Sequence, residues 1–445
     1  MRKSILAILM VVIMCIGLLL GCGGNGGNQP APEANGPEEV SDDDAGGGGA
    51  AVPAGGEGEI TILSWGFANN EHTEQLLADW DEMFDFTIHR EAAPGYADTV
   101  QMLTIMLASG DDSYDVMFID EIMQLSFTRA GFLAPLCDVI SDDQLDGFLP
   151  DYIDMFMRYE GRLYAVPNYI GIIGFFVNMR MLDEVGLSIP TNEQELIEAA
   201  VALTDPSINQ FGMVLSLDRA SHLQDNMNMF SLLFDGDYYD FTNPGTQRAL
   251  QFLYDLINTY AVVSRDSLGY DLSAQQQVFV DELSGLAFNW GFVQAMEEAG
   301  KFGADYLTWA PMPTFETNRT PYASWMWVVN GFSENLDAAK QFVAAKTDPQ
   351  VNLNTRFALG GGIPANTLAW GDPILEAEVP NILNMFRSYN DAGSLTARTL
   401  TTRHSEYMDT VMGTVQRFLL GEITLEETVE LGQAQIDTLL EGAAD

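Results

Sequence analysis

Trp65 and Asp120 are the first side chains in this sequence whose type and position suggest chemistry. Trp65 closes the β-rich run EITILSW (Glu59 to Trp65), and Asp120 closes YDVMFID, with a second acid, Glu121, directly after it. Ligands of open α/β sheets collect at the carboxyl ends of strands. A ring and a carboxylate at two such ends therefore point to a binding cleft. Catalytic and metal patterns are wanting. The histidines (His72, His89, His222, His404) are scattered without an HExxH spacing, and no GxSxG elbow, P-loop or dinucleotide fingerprint occurs. LGGGIP lacks the lysine and the strand-to-helix setting that a phosphate loop needs. The acids of DGDYYD, from Asp235, read as a loop between helices in preference to a calcium site.

The elements that must position Trp65 and Asp120 alternate. After EITILSW and the loop GFANN comes EHTEQLLADWDEMF, where Leu76, Leu77, Trp80, Met83 and Phe84 recur at helical spacing. A second strand, FTIHREA, leads through PGYAD into the helix TVQMLTIMLASG, then YDVMFID, then a helix closed by RAGFLAPL. Strands alternating with helices predict an α/β layer.

Ahead of this body, Arg2 and Lys3 precede an uncharged apolar stretch, Ile5 to Leu20, that ends in LLLGCGGNGGNQP. A spanning helix needs about 20 apolar residues, whereas a secretory signal needs a basic start and a shorter core. Leu19, Leu20, Gly21 and Cys22 resemble the box of a bacterial lipoprotein, whose cysteine is acylated and becomes the first residue of the mature chain. That makes residues 1–21 a signal peptide and Cys22 the lipid anchor. Residues 22–58, rich in Gly, Pro and acids, cannot bury enough apolar surface to offset ordering and read as a flexible tether. With Cys15 in the signal and Cys22 acylated, only Cys137 remains; no internal disulfide or cysteine metal cluster is expected, and Cys137 itself is read as an inert, partly buried thiol. The remaining body, from about Glu59, is long enough for two domains.

Charge excludes one class of partner. Nineteen basic against 64 acidic residues give a net charge of -45, and nucleic acid needs a basic face. Only Lys3, Lys301, Lys340 and Lys346 are lysines. Such depletion suits an exported protein facing high pH or high salt, because guanidinium keeps its charge where ammonium begins to lose it.

The segment TVQMLTIMLASGDDSYDVMFIDEIMQLSFTRAGFLAPLCD resembles family 1 extracellular solute-binding proteins, in which a helix ends in Ala-Ser-Gly, an Asp-Val strand follows and a Gly-x-Leu-x-Pro-Leu turn closes the unit. GRLYAVPNYIGIIGFFVNMRMLDEVGLSIPTNEQELIEAAVALT, GLAFNWGF, WAPMPTF, LGGGIPAN and the tail from Tyr407 continue the same order. The resemblance implies a two-lobed α/β protein of the type II periplasmic-binding-protein fold, with a ligand cleft between lobes. One lobe takes residues 59–170 and 316–368, the other 171–315 and 369–445, with crossings near Pro167 to Gly171, Pro311 to Phe315 and Pro364 to Pro373. Lobes rotating about such connectors close on a ligand that touches both.

It also implies a maltose-binding-like receptor: a monomer on the outer face of the cytoplasmic membrane, extracellular or periplasmic, that captures a sugar or oligosaccharide for the permease of an ABC importer. Neither catalysis, cofactor nor metal is expected. Flat rings and planar polar groups suit a sugar, so the expected cleft residues are Trp65, Asn69, Asn70, Asp120, Glu121, Tyr169, Trp290, Trp325 and Trp327, with Arg356, Gly361 and Arg403 beside them. Either Asp120 or Glu121 also suits the cap of the following helix, and of Trp325 and Trp327, which share a face if ASWMWVV is a strand, one can be pocket and the other core. The alternatives are a binder of a peptide, polyamine or anion, and an exported glycosidase, which in its retaining form needs two carboxyl groups about 5–5.5 Å apart.

Overall fold

The computed structural model describes residues 58–441 apart from 68–70, 221, 399 and 402. The signal, residues 22–57 of the tether with Cys22, and Asn69 and Asn70 lie outside the described residues.

Three strands open the sheet: β1 (Glu59–Ser64), β2 (Thr87–Ala92) and β3 (Val116–Asp120), with α1 (Glu71–Met83) and α2 (Tyr96–Ala108) between them. Both β2 and β3 pair with β1 in parallel, which demands crossover connections, and the two helices supply them. Helix α1 turns Leu76 and Trp80 into the core and leaves Met83 in solvent. All five residues of β3 are buried, as expected for a strand covered on both faces, and α3 (Glu121–Arg129) starts directly from its last residue.

The hairpin β4 (Arg158–Tyr159) and β5 (Arg162–Leu163) stands apart; the sheet continues with β6 (Ala165–Asn178), β7 (Phe211–Val214), β8 (Ser284–Trp290), β9 (Leu307–Ala310), β10 (Thr320–Val329), β11 (Ile363–Pro364) and β12 (Leu395–Ala397). Its main order is β2-β1-β3-β10-β6-β8-β7, with β9 and β11 on β6 and β12 on β10. Strand β6 joins the two halves. From Ala165 to Ile172 it pairs antiparallel with β10, and from Ile173 onward with β8 and β9.

A proline inside a central strand is tolerated at a bulge. Pro167 meets that condition, because the β6–β10 register slips between Trp325, opposite Tyr169, and Met326, opposite Pro167. The bulged Asn168 is not wasted. Its carbonyl accepts the N–H of Ala365, and its side-chain oxygen accepts Trp327 Nε1 at 3.3 Å.

Aromatic packing fills both halves. Trp80, Phe118, Trp327 and Phe342 interlock beneath β10, while Phe175, Phe230, Phe288 and Phe252 do so beyond β8. Cys137 departs from expectation: it is exposed, its sulfur accepting the Leu163 N–H at 3.1 Å. DGDYYD is a loop between the helices Leu223–Leu233 and Pro244–Asn258, with Asp237 and Asp240 spent on the backbone N–H groups of Tyr239 and Thr242.

Candidate functional site

A cavity of about 600 Å³ opens where the ends of β3 and β8 meet the middle of β6 and β10. Such a volume falls in the ordinary range for small-ligand sites. Trp65, just beyond β1, and Trp325 of β10 meet in its wall at 4.7 Å between ring centroids, inclined by 60°. Tyr96, first residue of α2, stands edge-on to Trp325 at 6.2 Å, and Tyr169 and Trp290 contribute two more rings.

Asp120 performs both roles that its position allows. One oxygen accepts the backbone N–H of Met123 at 2.8 Å and caps α3; the other accepts the Tyr96 hydroxyl at 2.7 Å. Glu121 is not the cap. It turns inward, wholly buried, and accepts the Ser324 N–H at 3.1 Å. Opposite stands Arg398, itself buried, 3.1 Å from Glu121 and 3.3 Å from Asp225. Asp225 also accepts Gln224 Nε2 at 2.8 Å and Trp290 Nε1 at 3.0 Å, so one carboxylate fixes the Trp290 ring and holds the guanidinium over it.

Burial raises Glu121 to about 7, against the pull of Arg398. Asp120 is raised for the same reason, opposed by the Met123 N–H and by Arg398. Desolvation works against the Arg398 charge, but Glu121, Asp225 and Asp120 outweigh it and hold the guanidinium above its ordinary range. His222 is lowered by burial despite Asp225 and faces the cavity uncharged at neutral pH.

Of the residues expected here, Trp65, Asp120, Glu121, Tyr169, Trp290, Trp325 and Gly361 line the cavity. Trp327 does not. It shares a face with Trp325 and both touch Phe118, but Trp327 lies one step deeper and is fully enclosed by the core. Arg356 also stays outside the lining: its guanidinium donates to the carbonyls of Gly362 at 2.7 Å and Gly361 at 2.9 Å and braces that loop. Gly361 has φ +102°, and a Cβ there would come within 2.6 Å of the Tyr169 ring, so a side chain would displace a cavity wall. Arg403 occupies the cap position of the helix His404–Leu419 and is not in the lining.

Sequence reasoning missed Tyr96, His222, Asp225 and Arg398. Tyr96 had a usable signal, standing in PGYAD between a strand and a helix. Arg398 had an indirect one: two acids at a strand end must find a cation, since buried charges are paired.

The family model of bacterial extracellular solute-binding proteins matches residues 88–352, more than half of the chain. The chain belongs to this family. Among relatives of this solute-binding protein, a probable amino-acid ABC transporter periplasmic-binding protein of Sinorhizobium fredii is 25% identical over 303 residues, 64% of this chain and 68% of that one. The arabinooligosaccharide-binding protein of Halalkalibacterium halodurans is 22% identical over 345 residues, 72% of this chain and 75% of the relative. Among solved structures, maltose-bound MalE3 of T. maritima aligns with a TM-score of 0.74 at 21% identity, over 86% of this chain and 100% of the other. The fold is that of the maltose-binding type II binding proteins.

Proposed function

We propose that this solute-binding protein captures a carbohydrate or polyol in the cavity and delivers it to the permease of an ABC importer. The observation that carries this reading is the lining: inclined aromatic faces at Trp65, Trp325, Tyr169 and Trp290 interleaved with buried, hydrogen-bonded carboxylates and Arg398. Apolar ring faces suit the C–H face of a sugar, and planar ionised groups suit its hydroxyls. A relative named for binding arabinooligosaccharide and a neighbour solved with maltose support it. The role is binding without turnover, and neither metal nor cofactor takes part.

In this reading residues 59–170 and 316–368 move as one lobe and 171–315 and 369–445 as the other, with β6 flexing where it changes partners. Arg398 then reaches across the cleft, pairing Glu121 of one lobe with Asp225 of its own. The protein works as a monomer, held to the outer face of the membrane by acylated Cys22 through residues 22–58. A thermal-shift screen with mono- and oligosaccharides, polyols, peptides, amino acids, polyamines and anions tests the reading, since a ligand of the native state raises apparent stability by mass action. A specific saccharide or polyol response is expected; a response only to another class would overturn it.

A further inference from the structure

The charge in the cavity is lopsided. Asp120, Glu121 and Asp225 are buried, and the more exposed Asp98, Asp218 and Asp271 join them in the lining. Arg398 alone among the described lining residues is a fixed cation. Its ion pairs go to Glu121 and Asp225. Asp120 receives hydrogen bonds from a phenol and a backbone N–H, both neutral; Arg398 acts on it only at longer range, and it makes no ion pair among the described residues. A carboxylate this buried calls for a cation or a proton.

A second feature converges on the same carboxylate. Asp120 lies directly opposite Trp325 in the β3–β10 register. Trp65 meets Trp325 at 60° and Tyr96 meets it at 78°, so the three rings form a corner and not a single flat wall. A sugar ring stacks on one face; inclined faces beside a carboxylate suit a compact cation, which gains from the ring quadrupoles and from the opposite charge together. A hydroxyl would take the hydrogen bond but would leave the charge and the corner unused.

We infer that the solute carries a protonated amine, seated between Asp120 and the rings of Trp65, Trp325 and Tyr96. This rests on the carbohydrate reading above and narrows it to an amino sugar, with the ammonium at this corner and the remaining hydroxyls toward Arg398 and Trp290. Asp120 is then the residue that sets specificity for amine over hydroxyl.

Isothermal titration of the purified full chain at neutral pH tests it with matched probes: glucosamine, galactosamine and mannosamine with their β-linked oligomers, the parent neutral sugars, the N-acetylated forms, and spermidine and lysine as free amines. At least one amino sugar should bind about tenfold or more tighter than its neutral and N-acetylated counterparts, the scale of one charge-assisted hydrogen bond. Asp120→Asn should reduce that preference to about threefold or less. Neutral sugars binding as tightly as amino sugars would overturn the inference and leave the carbohydrate reading standing. Binding of spermidine or lysine with no saccharide response would remove the carbohydrate reading itself, and with it the amino sugar. A preference that survives Asp120→Asn, or silence from every amino sugar, would also overturn it; the wild-type comparison decides even if the variant fails to fold.

Discussion

Lys346 offers a measurement in which burial and aromatic attraction oppose each other. It is fully buried and its Nζ has no hydrogen-bond partner, yet it sits 4.0 Å from the ring centroids of Trp80 and Phe342 and 5.4 Å from that of Trp327. Burial lowers its pKa well below the usual lysine range, while the rings favour the ammonium by about 2 kcal/mol when desolvated. If desolvation wins, the folded protein binds fewer protons at this site than the unfolded chain. Stability then rises with pH from the lowered folded pKa up to about 10.4, by at most about 1.4 kcal/mol per pH unit. Lys346→Met keeps the stem and removes the proton. The variant should be the more stable at pH 7, and its advantage should shrink by up to about 4 kcal/mol on going to pH 10. Urea denaturation of both proteins at several pH values reads the difference directly, because every other titrating group is shared. Parallel curves, or a variant less stable at pH 7, would refute the argument and mean that the rings hold a charged lysine at net profit.

The two tryptophans of β10 should separate by assay. Trp325→Ala should weaken binding of the cognate solute by tenfold or more with a modest stability change, whereas Trp327→Ala should cost about 3–5 kcal/mol in denaturation. Gly361→Ala should weaken ligand binding by displacing the Tyr169 ring, and Gly360→Ala, whose Cβ meets nothing closer than 3.6 Å, should do so less; titration of both variants checks the order. Cys22→Ser should abolish incorporation of a labelled fatty acid and release the protein from the membrane fraction, which labelling and fractionation of the producing cells would detect.

What was legible in the sequence follows from how locally each property is encoded. The alternation of strand and helix is local, and so is Asp120, whose place at a strand end and a helix start is visible in YDVMFIDEI. Trp325 and Trp327 show where that stops. Period two correctly puts both on one face, but the depth at which the cavity gives way to core depends on Phe118 of β3 and Phe342 of a later helix, which no stretch around the tryptophans contains. The arginines show it more sharply. Arg356 and Arg403 stand beside recognisable features, a glycine loop and a helix start; Arg398 stands just past the three-residue strand β12, in a segment with no pattern of its own. Its role is set by pairing of β12 with β10, which returns the chain to the end of β3 after some 270 residues. Electrostatics could have pointed to it before topology did. Asp120 and Glu121 close an apolar strand, so at least one must be buried, and a buried carboxylate requires a donor. In a chain with 64 acids and 19 bases, a guanidinium withheld from the surface is scarce; among the described residues Arg356 and Arg398 are buried, the one bracing the glycine loop beside the cavity and the other pairing the carboxylates within it.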